Sequence, residues 1–142
     1  MSDPVNAIAL DVGERRIGVA VSDPLGSFSL PYDTLERTNV KADVERIAEI
    51  ARERGARTIV VGDQLTLAGE RGIASHNMDA FIAHLARAFD GEIEKVDERL
   101  TTAAVQKSLI GADVSRKKRK SVVDKLAAAL ILDTWMQRRR NR

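Results

Sequence analysis

Apolar positions along the chain follow two rhythms, one of strands and one of helices. Val5 to Asp11 is an apolar run closed by an acid, the pattern of a buried central strand. Gly13-Glu14-Arg15-Arg16 supplies a turn, and Ile17 to Ser22 resumes the run, so the two strands are expected to pair as a hairpin. Phe28 to Leu35 reads as a third strand at a sheet edge, because Pro31 cannot donate to a ladder. Val40 to Arg54 shifts to helical spacing, with Val44, Ile47, Ile50 and Ala51 in register and Gly55 as the C-terminal stop. Arg57 to Gly62 is a short buried strand. Ile73 to Phe89 is a helix with Met78, Phe81, Ile82 and Leu85 on one face. Glu92 to Asp97 is a strand, Thr102 to Ile110 a short helix, and Ser121 to Gln137 the last helix. Gly69 to Gly72 is a loop, either a plain connector or one that closes over a substrate.

Three meandering strands followed by alternating helices and strands predict an α/β fold, a mixed five-stranded sheet with helices on both faces. This is the element order of the ribonuclease H-like fold, and fold alone does not give function. With no repeat, low-complexity tract or linker, residues 1–142 read as one domain, in which 138–142 form a frayed basic tail.

Composition narrows the class. At 44% hydrophobic the chain can bury its own core, and the absence of cysteine excludes disulfides, thiolate zinc sites and cysteine nucleophiles. The opening MSDPVN lacks the basic start of a secretory signal, and no segment has the length of a membrane span, so a soluble cytoplasmic protein without a membrane partner is expected.

Charge is unevenly placed. Residues 1–115 hold 13 Lys/Arg against 19 Asp/Glu, a net −6, whereas residues 116–142 hold 10 against 2, a net +8. Five consecutive cations, Arg116 to Lys120, lie between two structured segments and favour phosphate contact, with Lys117, Lys118 and Lys120 as candidates. For Arg138 to Arg142 two readings stand: a polyanion partner, or a helix end that complements its own dipole. Arg15 and Arg16, at the hairpin turn, are suited to meet a phosphate beside Asp11. Aromatic residues are only 4% of the chain, so recognition should lean on backbone charge and shape more than on stacking.

The candidate chemistry is carboxylate chemistry. Asp11 closes a strand too apolar to lie at an edge, where a buried charge is costly unless neutralised; the bland reading is an acid accepting N–H bonds from the Gly13 turn. Glu98 follows the last strand, with an ion pair to Arg99 as the ordinary alternative. Asp124 stands three residues after Ser121, which allows a capping box. It also shares a helical face with Ala128, Ile131 and Trp135, which turns it towards the sheet. Three acids converging at one sheet end repel one another unless divalent cations hold them. Carboxylate oxygens suit Mg²⁺ or Mn²⁺, and a pair of such ions serves phosphodiester cleavage.

Three blocks carry a family resemblance: Asp11-Val-Gly-Glu-Arg-Arg16 through Asp23, Asp97-Glu98-Arg99-Leu-Thr-Thr102, and Lys120-Ser-Val-Val-Asp124-Lys-Leu-Ala-Ala128. Together they resemble the YqgF (RuvX) family over essentially the whole chain. The resemblance implies a ribonuclease H-like nuclease, with acidic positions at Asp11, Glu98 and Asp124 and basic positions at Arg16, Arg99 and Lys120. It carries two assignments, maturation of the 5′ end of pre-16S ribosomal RNA and Holliday junction resolution. One stretch departs from the family: Gly62-Asp63-Gln64-Leu65 replaces its usual Gly-x-Pro-Leu, and Asp63 is either a solvated loop residue or a peripheral metal ligand.

A nuclease acting on RNA is therefore the leading expectation, with DNA also possible and a Holliday junction resolvase as the alternative. A resolvase must cut two strands symmetrically and so needs a dimer, and no heptad or isolated apolar stripe marks a dimer face, which favours single-stranded RNA. Monomer and homodimer both stay open. An actin-like nucleotide-binding domain would need two such lobes, and a non-catalytic nucleic-acid module would not need all three acids. His76 and His84 read as surface or boundary residues rather than general acids.

Overall fold

The computed structural model describes residues 6–63, 73–97 and 116–140. In chain order these form β1 (Ala7–Val12), β2 (Arg16–Ser22), β3 (Ser29–Glu36), α1 (Val40–Arg54), β4 (Thr58–Asp63), α2 (Ile73–Ala88), β5 (Glu92–Asp97) and α3 (Arg116–Arg140). The expected loop at 69–72 and the short helix at 102–110 fall outside the described residues, as do Glu98 and Arg99.

The five strands make one sheet in the order β3-β2-β1-β4-β5. β1 pairs antiparallel with β2 and parallel with β4, so the sheet is mixed and β1 is its central strand. Every residue of β1 is buried, as its unbroken apolar run requires. β3 is at the edge, with most of its residues exposed. Its register passes from Val19 opposite Asp33 to Ala20 opposite Pro31, leaving Tyr32 as a bulge residue beside the proline.

Strand alternation divides the core in two. Ile8, Leu10, Val19, Ile59 and Val61 face α1 and α2, joined by Ile47, Phe81 and Leu85. Ala7, Ala9, Ala20 and Val60 face α3 and pack with Ala127, Ala128, Ile131 and Leu132. The small residues on this second face let α3 lie close to the sheet. α1 is closed by Asn39, which accepts from the Ala42 N–H at 2.9 Å, and by Gly55 at φ 67°, a left-handed conformation that suits glycine.

Two expectations about α3 are corrected. The helix starts at Arg116 rather than Ser121, so the basic run Arg116 to Lys120 forms its first turns, since Lys and Arg are strong helix formers and nothing there breaks the pattern. Ser121 is therefore the sixth helical residue and cannot cap, which removes the capping-box reading of Asp124. At the other end, Arg138 to Arg140 are helical rather than frayed. The Arg139 guanidinium sits 5.3 Å from the Trp135 ring centroid, and Arg140 donates to the Ser27 carbonyl, tying the last turn down. Among the described residues no helix is long and apolar enough to cross a membrane.

The β2–β3 turn is ordered by one carboxylate. Asp23 accepts from the N–H groups of Leu25 at 3.1 Å, Ser27 at 2.6 Å and Phe28 at 2.8 Å. The Phe28 N–H does most to hold its pKa below the ordinary 3.8, against the opposing effect of burial and with help from Ser27 and Leu25. A carboxylate depressed in the folded state adds stability above its unfolded pKa and loses it as pH falls through the folded value. The stability gap between wild type and Asp23→Asn should therefore hold steady between about pH 5 and 7 and narrow below about pH 4. Thermal melts at stepped pH measure this, and a gap that widens on acidification contradicts it.

Candidate active site

Asp11 is the fifth residue of the central strand and is 3% exposed. Alternation with Ala7 and Ala9 places it on the face covered by α3. Its partner across the β1–β2 ladder is Gly18. A Cβ built on Gly18 would meet the Asp124 carbonyl oxygen at 1.9 Å, the Asp124 carbonyl carbon at 2.3 Å and the Lys125 nitrogen at 2.9 Å. The backbone of α3 thus rests directly on Gly18 at Asp124, which brings Asp124 beside the ladder partner of Asp11, a residue 113 positions earlier in the chain. The inward stripe expected of Asp124 is present, for Ala128, Ile131 and Trp135 are all buried.

The third expected acid, Glu98, and its neighbour Arg99 lie outside the described residues. Val96, two positions earlier on β5, is buried on the α3 side. Among the described residues no three acids or histidines cluster at metal-binding distance.

Asp63 is not brought to this site. On β4, Val60 faces α3 and Val61 faces the other way, so Asp63 points with Val61 to the α1/α2 side. There Lys95 Nζ lies 3.9 Å from its carboxylate and 3.3 Å from that of Asp79 on α2. Asp63 is thus not the solvated loop residue expected but the buried last residue of β4, on the face opposite that of Asp11.

Arg16 shares the face of Gly18 and Asp11, while its Nε donates to Glu36 Oε1 at 2.9 Å. Arg15 is exposed at the turn. Lys117, Lys118 and Lys120 occupy the opening turns of α3, one to two turns before Asp124. His84 is exposed and lines a cavity of about 630 Å³ with Val12, Glu14, Arg37 and Phe81, on the α1/α2 side of the sheet, away from Asp11.

Two residues that support the site went unrecognised in the sequence. Gly18 carried a signal, since a glycine inside an apolar strand marks a close backbone approach. Arg37 carried none. Its Nη1 donates to the Gly13 carbonyl at 2.9 Å, its Nε to the buried Asp43 at 3.3 Å, and its backbone N–H to the Arg15 carbonyl at 2.9 Å. Its guanidinium lies 5.5 Å from the Phe81 ring centroid. With Gly13 N–H donating to the Arg16 carbonyl at 2.8 Å, the turn that follows Asp11 is held from both sides.

A mixed sheet in this order, with an acid on the central strand and another on the last helix, defines a protein of the ribonuclease H-like fold. Its fold resembles that of T. thermophilus RuvC in complex with Holliday junction substrate, at a TM-score of 0.57 over 96% of each chain and 11% identity. The chain belongs to the RuvX family, described as Holliday junction resolvase, whose model matches residues 5–138. A relative from Halalkalibacterium halodurans, named "Putative pre-16S rRNA nuclease", is 44% identical over 136 residues, 94% of this chain and 97% of its own. One of the same name from Desulforudis audaxviator is 41% identical over 134 residues, covering 94% and 95% of the two chains.

The Gly18 contact yields a direct test. Gly18→Ala should destabilise the protein by about 3 kcal/mol or more, because the helix backbone cannot yield as a flexible side chain would. Urea denaturation measures it, and a loss below about 1 kcal/mol shows that α3 is not seated on this residue.

Proposed function

We propose that this chain is a divalent-metal-dependent nuclease that hydrolyses phosphodiester bonds, with RNA the favoured substrate and maturation of the 5′ end of pre-16S ribosomal RNA its role. The observation that carries the reading is a buried Asp11 carboxylate whose ladder partner is the glycine on which Asp124 sits. A carboxylate at 3% exposure on an apolar strand is costly unless compensated by positive charge or donors, and oxygen donors of this kind fit Mg²⁺ or Mn²⁺. Asp11, Glu98 and Asp124 would hold the ions, and two bound ions supply an acidified water and stabilisation of the leaving oxygen.

The chain's own residues bind and align the substrate. Arg16 is paired with an exposed Glu36, and such surface pairs contribute only about 0–1 kcal/mol, so a phosphate can take the guanidinium at little cost. Arg15, Arg99, Lys117, Lys118 and Lys120 add phosphate contacts. Because the lysines ride on the helix that carries Asp124, a backbone they grip is held in fixed relation to that acid. Arg37, through Gly13 and Arg15, keeps the turn after Asp11 from shifting.

Holliday junction resolution is the second reading, favoured by the family description and by the likeness to RuvC, and it requires two copies of the chain acting symmetrically. A side-by-side assay on labelled single-stranded RNA, single-stranded DNA and a four-way junction separates the two. Cleavage should appear with Mn²⁺ or Mg²⁺, vanish with chelator, and be fastest on single-stranded RNA. Asp11→Asn and Asp124→Asn should each lower it by about 10³-fold or more, the scale of losing a group that acts as part of a catalytic unit. Wild-type rates in either folded variant would sink the reading, and preference for the junction would move it to resolution.

A further inference from the structure

The far end of α3 assembles a second cationic surface. Arg138, Arg139 and Arg140 are exposed, and Arg140 lies sixteen positions beyond Asp124, about 24 Å along the helix. A helix C-terminus gains from cations in its last turn, but that gain does not account for what the arginines adjoin. Arg140 donates to the carbonyl of Ser27, in the turn between β2 and β3. Next to that carbonyl stand Phe28, 54% exposed, and, two residues before it, Leu25, 78% exposed.

This turn presents its apolar side chains on a fixed backbone. Asp23 accepts three of its N–H groups, and Ser29 Oγ donates to the Ala129 carbonyl of α3 at 2.8 Å. Arg139 is likewise placed in advance by its stacking on Trp135. Exposed apolar groups on a rigid turn beside a cluster of guanidinium groups match a ligand that is both polyanionic and π-faced. Single-stranded nucleic acid combines these properties, with phosphates for arginine and unstacked bases for an aromatic ring.

We propose that Arg138, Arg139 and Phe28 form an anchoring site for single-stranded nucleic acid, remote from the carboxylates, that holds the substrate chain on the far side of α3's length. The arginines take successive phosphates and Phe28 stacks on one base. At 3.4 Å or more per nucleotide, no more than about seven nucleotides separate this anchor from the Asp11–Asp124 site. The site rests on the nuclease reading only for the identity of its ligand.

The test measures binding without cleavage. Full-length protein in chelator is titrated with a 20-nucleotide single-stranded RNA by fluorescence anisotropy at several salt concentrations. Arg138→Glu combined with Arg139→Glu should weaken Kd about tenfold or more and reduce the log–log salt slope by about 1.4, the loss of two single-strand phosphate contacts. Phe28→Ser should weaken it about fivefold or more, and Phe28→Tyr should restore it, because stacking needs only an aromatic face. With Mn²⁺ present, these variants should raise KM and leave kcat unchanged. Should the arginine pair disturb the helix, Arg138→Glu alone and Phe28→Ser, both at exposed positions, carry the test, with thermal melts confirming the fold.

Wild-type RNA affinity in the folded variants overturns the site. So does unchanged RNA affinity accompanied by loss of self-association or of binding to an acidic peptide, which would assign the surface to a second copy or to a protein partner. Weakened RNA binding in the variants of a chain that never cleaves keeps the anchor and removes the nuclease reading.

Discussion

A helix backbone can rest on a β-sheet only where the strand beneath it carries no side chain, and here that place is Gly18. With a Cβ there, α3 would have to rise by more than an ångström, since its Asp124 carbonyl already occupies the space. The surrounding surfaces are built for the same closeness, with Ala7, Ala9 and Ala20 on the sheet and Ala127 to Ala129 on the helix. Because Gly18 is the ladder partner of Asp11, the contact that seats the helix also sets the position of Asp124 against Asp11. Packing and site geometry are one constraint.

The two faces of the sheet consequently do different work. On one, large aliphatic and aromatic residues from α1 and α2 fill an ordinary core, where burial of side chains such as Ile8, Leu10 and Leu85 stabilises by about 1.5–3 kcal/mol each. On the other, small residues give up contact area so that a single helix can approach closely. That helix carries cations in its opening turns, an acid where it meets Gly18, and cations again at its end. The core face reaches the site through Arg37, which joins Asp43 of α1 and Phe81 of α2 to the turn after Asp11. The turn after this buried carboxylate is thus braced from the α1/α2 layer, and its ladder partner Gly18 is covered by the α3 layer.

Elements whose limits are set by their own residues were legible in advance. α1, closed by the expected Gly55, runs over the expected residues, as does β5, and Pro31 correctly marked β3 as an edge. These are set by local hydrogen bonding and by the period of apolar residues. The start of α3 was misread because a block of five cations looks like a solvated loop, whereas Lys and Arg also continue a helix readily. Asp63 was placed in a loop because the strand was expected to stop at Gly62, and only pairing with β1 fixes which face its side chain takes.

Residue types and their spacing by themselves determined the order of the described elements along the chain, the buried placement of Asp11, the inward stripe of Asp124 and the concentration of positive charge after residue 115. The physical reason is that burial and period are properties of a segment, readable without knowing its neighbours. Only the tertiary structure decided that Gly18 is the seat of α3, that Arg37 braces the turn after Asp11, and that the Arg140 end of the helix meets the Ser27 turn. Each joins residues distant in the chain, and a one-residue change of register or a small shift of the helix would have made different pairs.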